Sequence, residues 1–391
     1  MKVETFKEFC TGCGLCQSVC DVQFTTDDKG YKIPDLSNED VKFCSKVCPA
    51  SGNASKYMSR NTVWGNYITA KAGWAEDGNI RNMASSGGVL TALCCYLLET
   101  GTVDGVIQIK ASSKIPYQTE TVVSRTKEDV INCAGSRYSI SQPLLDITSV
   151  IQKDEKYAVV AKPCDISALR MYMMDNPDIA NNIAFLFSFF CAGMPSEDAQ
   201  KKLISTLGCE SVEDVSKLQY RGNGWPGYAT AVNRDGKKFQ MNYEDSWGKI
   251  LGRDVRKCCR FCFDGVGEFA DVACGDLWYL TEDNTPDFSE AEGRNIIFAR
   301  TSEGKKLLEE AQVNGYLHLE EANVSQLRYA QRYQYDRKIF MSAMTFGMAI
   351  LGRNYPKYDR KVMNAFAKLK PFHVRLRRTL GIIKRIKNGK I

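Results

Sequence analysis

The cysteine-rich start of the chain reads Cys10-Thr11-Gly12-Cys13-Gly14-Leu15-Cys16-Gln17-Ser18-Val19-Cys20, and Cys44-Ser45-Lys46-Val47-Cys48-Pro49 follows one small module later. Three thiolates spaced by two residues on one tight loop can all turn toward a single iron–sulfur cluster, and a remote cysteine followed by proline can supply the fourth ligand. Glycines between the first cysteines suit such a loop, which needs positive φ values and close backbone approach. The stretch therefore predicts one [4Fe-4S] cluster, with Cys10, Cys13, Cys16 and Cys48 as its ligands.

Zinc is the competing interpretation, because four thiolates also satisfy a structural zinc site. Zinc sites usually draw their sulfurs from two separated C-x-x-C pairs, whereas this spacing is that of bacterial ferredoxins. Little hydrophobic core can form within residues 1–58, so a bound cluster would help to hold the module together. Asp27-Asp28-Lys29-Gly30 predicts a turn between two short extended segments of this module.

The composition limits the chemistry of the chain. It has 391 residues, of which 44% are apolar, enough for two or three globular domains with buried cores. Sixteen cysteines, several in metal-ligand spacing, indicate metal ligands and buried thiols rather than disulfides. With only two histidines, Ser-His-Asp hydrolysis and histidine-based zinc or iron catalysis are disfavoured.

The apolar segments predict a cytoplasmic protein. Residues Met1 to Phe9 lack the apolar run of a signal peptide. The longest apolar run, Ile183 to Ala192, is too short to cross a bilayer and better fits a buried strand.

The net charge of +6 hides an uneven distribution. Residues 360–391 hold 11 Lys or Arg and no Asp or Glu, which leaves 41 basic against 46 acidic residues elsewhere. Apolar residues recur at helical spacing among these charges, at Phe372, Leu376, Leu380 and Ile383. The pattern predicts a helical basic tail that contacts anionic lipid or an acidic partner, with a plain solvated helix as the alternative.

The sequence predicts an α/β (α+β) core between a small ferredoxin-like module and the tail. The predicted parts are the module (1–58), two α/β units (62–155 and 156–340) and the tail (341–391). Within the units, the apolar pattern predicts a helix from Val89 to Leu98 and strands at Val103–Ile109, Thr119–Ser124, Tyr157–Ala161, Ile183–Phe190 and Arg294–Ala299. The sequence of residues 228–243 predicts a β-hairpin. A helix is predicted from Ile166 to Met174.

A glycine-containing turn, Ser85-Ser86-Gly87-Gly88, precedes the Val89 helix. Free N–H groups and the helix dipole at such a terminus favour a phosphate group. A plain serine cap with a flexible approach is the alternative, and spacing alone favours it.

A second group of cysteines lies in the 156–340 unit. Cys164 and Cys191 follow two apolar strands, at the sheet edge where open α/β sheets bind ligands. Cys259 and Cys262 form a C-x-x-C pair, which is half of a metal site and needs two more sulfurs. The spacing predicts a site from these four, with Cys258 and Cys274 as rival ligands. The alternative for Cys164 and Cys191 is that each is a small buried hydrophobe.

Four short motifs carry a resemblance to a known family. They are ASSGGVLTAL from Ala84 to Leu93, AKPCDISALR from Ala161 to Arg170, FCAGMPS from Phe190 to Ser196, and CRFCFD from Cys259 to Asp264 followed by ADVACGD from Ala270 to Asp276. In their order and spacing the chain, over about residues 3–318, resembles the beta subunits of coenzyme F420 hydrogenases and dehydrogenases, to which 7-hydroxymethyl chlorophyll a reductase of plants is also similar.

The resemblance implies an iron–sulfur flavoprotein, because members of this family hold FAD next to a [4Fe-4S] cluster and often carry a ferredoxin-like N-terminus. It implies that Ser85, Ser86, Gly87 and Gly88 form part of the FAD site, that Lys162 is a catalytic residue beside the flavin, and that Cys164, Cys191, Cys259 and Cys262 hold the inner cluster. It also implies that Arg221 and Trp225 belong to a loop over the substrate side of the flavin.

The N-terminal module departs from the complete two-cluster pattern. That pattern places proline after the fourth cysteine and three cysteines before the last, whereas Asp21 follows Cys20 and only Cys44 precedes Cys48. In such two-cluster modules the fourth cysteine of each motif binds the other cluster. Cys20 and Cys44 would therefore be two ligands of a further cluster whose other two cysteine ligands are missing.

We therefore expect an FAD- and iron–sulfur-dependent oxidoreductase with two [4Fe-4S] clusters. It would pass electrons between a small-molecule or deazaflavin substrate and a ferredoxin or other redox protein, and it would not bind nucleic acid. The alternatives are a non-catalytic electron-input subunit of a larger hydrogenase or dehydrogenase complex, and a binding protein whose clusters only brace the fold.

Overall fold

A computed structural model gives the structure of residues 1–389. The N-terminal module is built from short elements around the cysteines: α1 (Val3–Phe9), α2 (Leu15–Cys20), β1 (Phe24–Thr26), β2 (Lys32–Pro34) and α3 (Asn38–Val47). The two strands pair antiparallel across the turn predicted at Asp27 to Gly30, where the Gly30 N–H donates to the Asp27 carbonyl. The predicted turn is confirmed.

The next part of the chain alternates strands and helices. Its elements are β3 (Thr69–Ala75), α4 (Gly78–Met83), α5 (Val89–Glu99), β4 (Gly105–Ala111), β5 (Thr119–Ser124), α6 (Lys127–Asn132) and α7 (Ile147–Val150). Then follow β6 (Tyr157–Ala161), α8 (Pro163–Met173), α9 (Pro177–Asn182), β7 (Ile183–Phe189), α10 (Glu197–Leu207), β8 (Val215–Gln219), β9 (Ala229–Asn233), β10 (Lys238–Met241), α11 (Lys257–Arg260), β11 (Val272–Asp276), β12 (Asn295–Ala299), α12 (Ser302–Val313) and β13 (Leu317–Glu321).

Eight of these strands form one mixed sheet, in the order β13-β3-β12-β11-β7-β6-β4-β5. Its centre is parallel, since β4 pairs with β6, β6 with β7 and β7 with β11, and the outer pairs are antiparallel. Strands from both predicted α/β units belong to it, and β3 of the first unit lies between β13 and β12 of the second, so the predicted boundary at residues 155/156 divides the sequence but not the sheet. The predicted mixed α/β class is confirmed.

The predicted elements differ from the observed ones mainly at their ends. Helix α8 begins at Pro163, three residues before the predicted start, because proline is pre-organised for the first helical position. Strand β4 begins at Gly105 rather than Val103. The hairpin predicted in residues 228–243 is β9 and β10, which form a small separate sheet with β8.

The C-terminal part is helical, as predicted: α13 (Leu327–Ala330), α14 (Arg332–Ile339), α15 (Met341–Ile350), α16 (Arg360–Ala367) and α17 (Phe372–Lys387). Its apolar faces share one core with the N-terminal module, in which Phe6 and Phe9 pack in the same cluster as Met344, Phe366 and Ile382. The two ends of the chain are therefore one packed body. Within the described residues, no helix combines the length and the apolar character needed to span a membrane.

A buried ion pair joins three parts of the fold. The Lys338 ammonium on α14 contacts the Glu268 carboxylate, and both side chains are almost fully buried. Glu268 also accepts a hydrogen bond of 2.9 Å from the backbone N–H of Ser59, just after the N-terminal module. One carboxylate thus links the module, the loop before β11 and the C-terminal helices.

We predict that Glu268→Ala destabilises the protein strongly. Removing one partner of a buried pair leaves the other charge uncompensated, which costs about 3–5 kcal/mol. Guanidinium unfolding measures the loss, with Glu282→Ala as the control because Glu282 is exposed. Equal unfolding midpoints for the two variants would contradict the role assigned to the pair.

Candidate functional site

The N-terminal cysteine loop has the backbone that the sequence predicts. Gly12 has φ +72° and Gly14 has φ +91°, both in the left-handed region that favours glycine. A Cβ on Gly14 would also lie 2.7 Å from the backbone of Leu145. The loop can therefore pack against the core only with glycine at this position.

Five thiols line a small apolar pocket of about 410 Å³ beside this loop: Cys10, Cys13, Cys16, Cys44 and Cys48. Burial raises the pKa of the Cys48 thiol, and the neighbouring thiols of Cys10 and Cys13 raise it further. The four residues predicted as ligands thus lie together, and the structure adds Cys44 to them.

The two cysteines left over by the sequence pattern occupy different places. Cys44 lies on α3 within reach of Cys16, and a hydrogen bond from the Cys44 thiol lowers the pKa of Cys16. Cys20, at the end of α2, is not among the residues that line the pocket. A shared second cluster on Cys20 and Cys44 stays a prediction.

The inner cysteines come together at the edge of the sheet. Cys164 lies in the first turn of α8 after β6, and Cys191 lies two residues after the neighbouring parallel strand β7. Burial raises the pKa of Cys191 to about 12, and the adjacent thiols of Cys259 and Cys262 add to the rise. Cys164 has Cys262 and Cys191 as thiol neighbours, so all four predicted residues lie in one group.

The rival ligands lie beside or outside this group. The Cys258 sulfur is 4.0 Å from that of Cys259, and the hydrogen bond between these thiols lowers the pKa of Cys259 to about 6. Cys274 lies in the middle of β11, where burial is the cause of its raised pKa and Cys94 is a thiol neighbour. Within residues 1–389, no three His, Cys, Asp or Glu side chains converge as the ligands of a single metal ion would.

Arg337 of α14 is a buried residue of this group that the sequence did not predict. Its guanidinium donates to the backbone carbonyls of Cys191 (3.0 Å) and Cys259 (3.1 Å), which fixes the two cysteine segments relative to each other. Burial lowers its pKa, but the thiols of Cys262, Cys191 and Cys259 more than offset this, so the pKa is raised. No motif contains this arginine, which lies 75 residues beyond Cys262.

A deep cleft adjoins the inner cysteines, with about 1320 Å³ of empty space including its opening to solvent. Its lining includes Ser85, Ser86, Gly88 and the start of α5 as well as the Cys191 to Met194 segment, whereas Gly87 is not part of it. Lys162 and Arg221 also line it. Most of its lining surface is apolar, as is usual for ligand pockets.

The Ser85 to Gly88 turn presents backbone rather than hydroxyl groups to the cleft. The Ser85 hydroxyl accepts from the Ser136 N–H (2.5 Å), and the Ser86 hydroxyl donates to the Arg294 carbonyl (3.0 Å). The first bond of the helix runs from the Ala92 N–H to the Gly88 carbonyl, which leaves the N–H groups of the preceding turn available to a ligand. Serine thus holds the turn in place, and the helix N-terminus faces the cleft.

Lys162 is buried where β6 enters α8. Its ammonium lies 2.7 Å from the Asp165 carboxylate and donates to the Ser141 hydroxyl at 2.7 Å. Burial alone would lower its pKa, but Asp165 and the Cys164 thiol more than offset this and the pKa is raised. Lys162 therefore keeps its positive charge on the wall of the cleft.

Arg221 and Trp225 are placed differently. Arg221 lines the cleft and makes two hydrogen bonds of 2.9 and 3.1 Å to the carboxylate of Asp276. Trp225 is almost fully buried, stacks on Trp278 and donates from its indole nitrogen to Asp276 at 3.0 Å. Trp225 is not among the residues that line the cleft. It supports Arg221 through the shared aspartate.

Two family profiles match the chain over most of its length. Residues 70–148 match the N-terminal domain of the coenzyme F420 hydrogenase/dehydrogenase beta subunit, and residues 154–325 match its C-terminal domain. The chain belongs to this family. The resemblance inferred from the four motifs is confirmed.

Several relatives are named as oxidoreductases or as their subunits. The chain is 25% identical to the coenzyme F420 hydrogenase subunit beta of Methanosarcina barkeri over 66% of this chain and 83% of the relative. It is 26% identical to a coenzyme F420-dependent sulfite reductase of Methanocaldococcus jannaschii, over 84% of this chain but only 50% of that longer protein. An F420-dependent formate dehydrogenase subunit beta from the same organism is 25% identical over 73% of this chain and 70% of the relative. This family of oxidoreductases has an electron-transfer role.

A solved structure has the same fold. A chain of the F420-reducing [NiFe] hydrogenase complex of Methanosarcina barkeri matches with a TM-score of 0.57 and 23% identity, over 76% of this chain and 98% of that chain. The large mixed sheet and its flanking helices are therefore a fold shared with that complex.

We predict that Cys48→Ala removes the iron bound by the N-terminal module, whereas Cys20→Ala leaves it in place. Of these two cysteines, Cys48 lies with Cys10, Cys13 and Cys16 in the pocket and Cys20 does not, and a cluster that loses a thiolate ligand is not held. Iron and sulfide analysis of anaerobically prepared protein measures the difference, about four iron per chain. Loss of iron in Cys20→Ala with retention in Cys48→Ala would contradict the assignment.

Proposed function

We propose that this protein is an iron–sulfur flavoprotein oxidoreductase. It passes electrons between a two-electron donor or acceptor at FAD and one-electron carriers, through a [4Fe-4S] cluster in each cysteine group. The observation that carries the proposal is the cleft itself, whose wall contains both the N-terminus of α5 and Cys191. A dinucleotide with its pyrophosphate at α5 would therefore occupy the same cleft as one of the inner cysteines.

The cleft wall fits the chemistry of FAD. The N-terminus of α5, an 11-residue helix, offers N–H groups and a positive dipole end to a pyrophosphate. Gly88 and Gly135, both with positive φ and without a Cβ, line the cleft and let a ligand approach the backbone. The rest of the wall is mainly apolar, as a flavin ring requires.

When bound, FAD would supply the exchange of electron pairs with a small molecule and of single electrons with a cluster. Lys162 holds a positive charge on the cleft wall, so it would stabilise negative charge that develops on a bound molecule. Asp165 and Ser141 fix the position of its ammonium group. This is the catalytic role proposed for Lys162.

Arg221 would act on the substrate side of the same cleft. Asp276 holds its guanidinium in a fixed, bidentate arrangement, and Trp225 holds Asp276. The role proposed for Trp225 is therefore indirect. Coenzyme F420 appears in the names of the relatives, so a deazaflavin is the first substrate class to test.

The cysteine groups would hold the one-electron carriers. Cys191 lines the cleft and has Cys164, Cys259 and Cys262 as thiol neighbours, and the charge of Arg256 interacts with Cys10 of the N-terminal group and with Cys259 of the inner one. Electrons would therefore leave or enter through the N-terminal group, toward a ferredoxin or another redox protein.

A second candidate is an electron-input subunit that works only within a larger complex. The names of several relatives, which are subunits of F420-dependent enzymes, favour it. Reduction of viologen dyes or a ferredoxin by the purified chain, without turnover of any two-electron donor, would support this candidate over an independent enzyme.

The test is FAD binding by anaerobically reconstituted protein, followed by its ultraviolet–visible spectrum. We predict that Gly87→Ala weakens FAD binding at least about tenfold, because the new Cβ would lie 2.7 Å from the Asn295 side chain and 2.8 Å from the Gly73 carbonyl and would displace the turn. Gly78→Ala is the matched control, since no atom lies within 4 Å of its Cβ.

The same preparation tests Lys162. Lys162→Met should retain FAD and lower the flavin reduction potential, because the positive charge beside the cleft is lost. Absence of a flavin band in the wild-type protein, or zinc in place of the expected iron, would overturn the proposed function.

A further inference from the structure

Arg256 lies between the two cysteine groups and belongs to neither of the predicted ligand sets. Its side chain is buried, and its charge interacts with the thiols of Cys10 in the N-terminal group and of Cys258 and Cys259 at the inner one. A single positive charge thus faces both groups.

The contacts of Arg256 connect the two groups through a short network. Its Nη2 atom donates to the Lys32 carbonyl at 2.7 Å, and its guanidinium lies over the ring of Tyr31. Its backbone N–H donates to the Met194 carbonyl at 3.0 Å, and the Met194 N–H donates to the Cys259 sulfur at 3.4 Å. The guanidinium is therefore fixed relative to the inner group.

The other edge of the guanidinium points at the N-terminal cysteine loop. Its Nη1 atom lies 3.0 Å from the position that a Cβ on Gly12 would occupy, between Cys10 and Cys13. This atom is fully buried and has no hydrogen-bond partner among the described residues, and the hydroxyl of Thr11 in the same loop has none either. The Arg256 guanidinium also interacts with the Cys10 thiol and lowers its pKa against the rise caused by burial, so a buried cationic donor lies beside a predicted ligand sulfur and favours negative charge there.

We infer that Arg256 couples the two cysteine groups electrostatically and stabilises the reduced form of a cluster held by Cys10, Cys13, Cys16 and Cys48. The inference rests on the proposed function, because it requires that both groups hold clusters. Hydrogen bonds and positive charge near the sulfurs raise the reduction potential of an iron–sulfur cluster. One electron would pass from a cluster in the inner cysteine group to a cluster in the N-terminal group. Arg256 stays protonated throughout, so no bond forms or breaks.

The test is the midpoint potential of each cluster, followed by electron paramagnetic resonance during a redox titration. The Cys48→Ala variant identifies the N-terminal signal, since it lacks that cluster. We expect Arg256→Met to lower the reduction equilibrium constant of this cluster about tenfold, which is about 59 mV for a one-electron couple. The inner cluster should move less, because the unpartnered Nη1 atom points at the N-terminal loop.

Three further variants separate charge from structure. Arg256→Lys keeps the charge and should keep most of the potential, whereas Arg256→Gln keeps a donor without charge and should resemble Arg256→Met. Arg260→Met is the matched control, because Arg260 lies in the same segment and its guanidinium donates to the Arg253 carbonyl.

The possible failures are distinguishable. Wild-type protein without iron would overturn the proposed function. If all variants hold the full iron content and the N-terminal cluster has the same midpoint potential in Arg256→Lys and Arg256→Gln, the role of Arg256 is overturned and the proposed function stands. If Arg256→Met binds less iron, the comparison of the lysine and glutamine variants decides the question.

A second inference concerns the outer face of α17 and does not depend on any cofactor. The inner face of this helix packs on α15 through Thr379 and Ile382. On the outer face, Phe372 is 70% exposed and Leu380 is 59% exposed, with exposed Leu376 between them. These three recur every fourth residue, so they form one apolar stripe along the helix.

Basic residues flank this stripe and no acidic residue lies in the sequence from 360 to 391. The exposed basic residues of the helix are Arg377, Lys384, Arg385 and Lys387, whereas Arg375 and Arg378 are half-buried. An exposed apolar stripe among basic residues matches the headgroup and acyl regions of an anionic bilayer. We propose that α17 docks this protein on an anionic membrane surface, lying in the interface rather than crossing it.

Vesicle flotation of the full-length protein tests this proposal. We expect the protein to bind vesicles of phosphatidylcholine with phosphatidylserine but not vesicles of phosphatidylcholine alone. The triple substitution Phe372→Ser, Leu376→Ser, Leu380→Ser should abolish binding, whereas Val313→Ser at the end of α12, which is also highly exposed, should not. Absence of binding by the wild type, or equal binding by the triple variant, would overturn the proposal.

Discussion

Parallel pairing of β6 with β7 is the constraint on which the candidate site depends. Neighbouring parallel strands end at the same edge of a sheet, so the residues that follow them are brought together. Lys162 and Cys164 follow β6, and Cys191 follows β7. The pairing therefore puts a buried cation and two thiols at the same edge of the sheet, where Lys162 and Cys191 line the cleft.

Burial of so many thiols sets the electrostatics around this edge. Desolvation raises the pKa of most of these cysteines, which opposes the thiolate form that a metal requires. Two buried arginines counter this effect, Arg337 at the inner group and Arg256 between the groups. A protein that hides its thiols from water needs such charges, because water no longer stabilises the thiolates.

The N-terminal module is stable in this fold because other parts of the chain cover it. Its few apolar side chains, such as Phe6 and Phe9, would remain exposed in an isolated module of this size. Helices α15, α16 and α17 complete that core, and the Lys357 N–H donates to the Ser51 carbonyl at their junction. The module and the C-terminal helices, predicted as separate parts, thus form one packed unit.

The sequence by itself determined the family, the mixed α/β class and most central elements, because those signals are local. Apolar runs predicted α5, β5, β6 and β7 closely, and the glycines at 12 and 14 predicted the backbone of the cysteine loop. The sequences of strands β3 and β11 show no comparable apolar run, because both contain few large apolar residues. Their extended conformation is set by pairing with neighbouring strands in the sheet.

Only the tertiary structure decided which distant residues meet. Arg337 and Arg256 reach the cysteine groups from segments with no motif, Cys44 joins the pocket of the first four thiols, and Trp225 lies behind Arg221 rather than in the cleft. These contacts depend on how helices and loops pack across long separations in sequence. Spacing along the chain determines which residues can share a loop, but it carries no information on which buried charge lies opposite that loop.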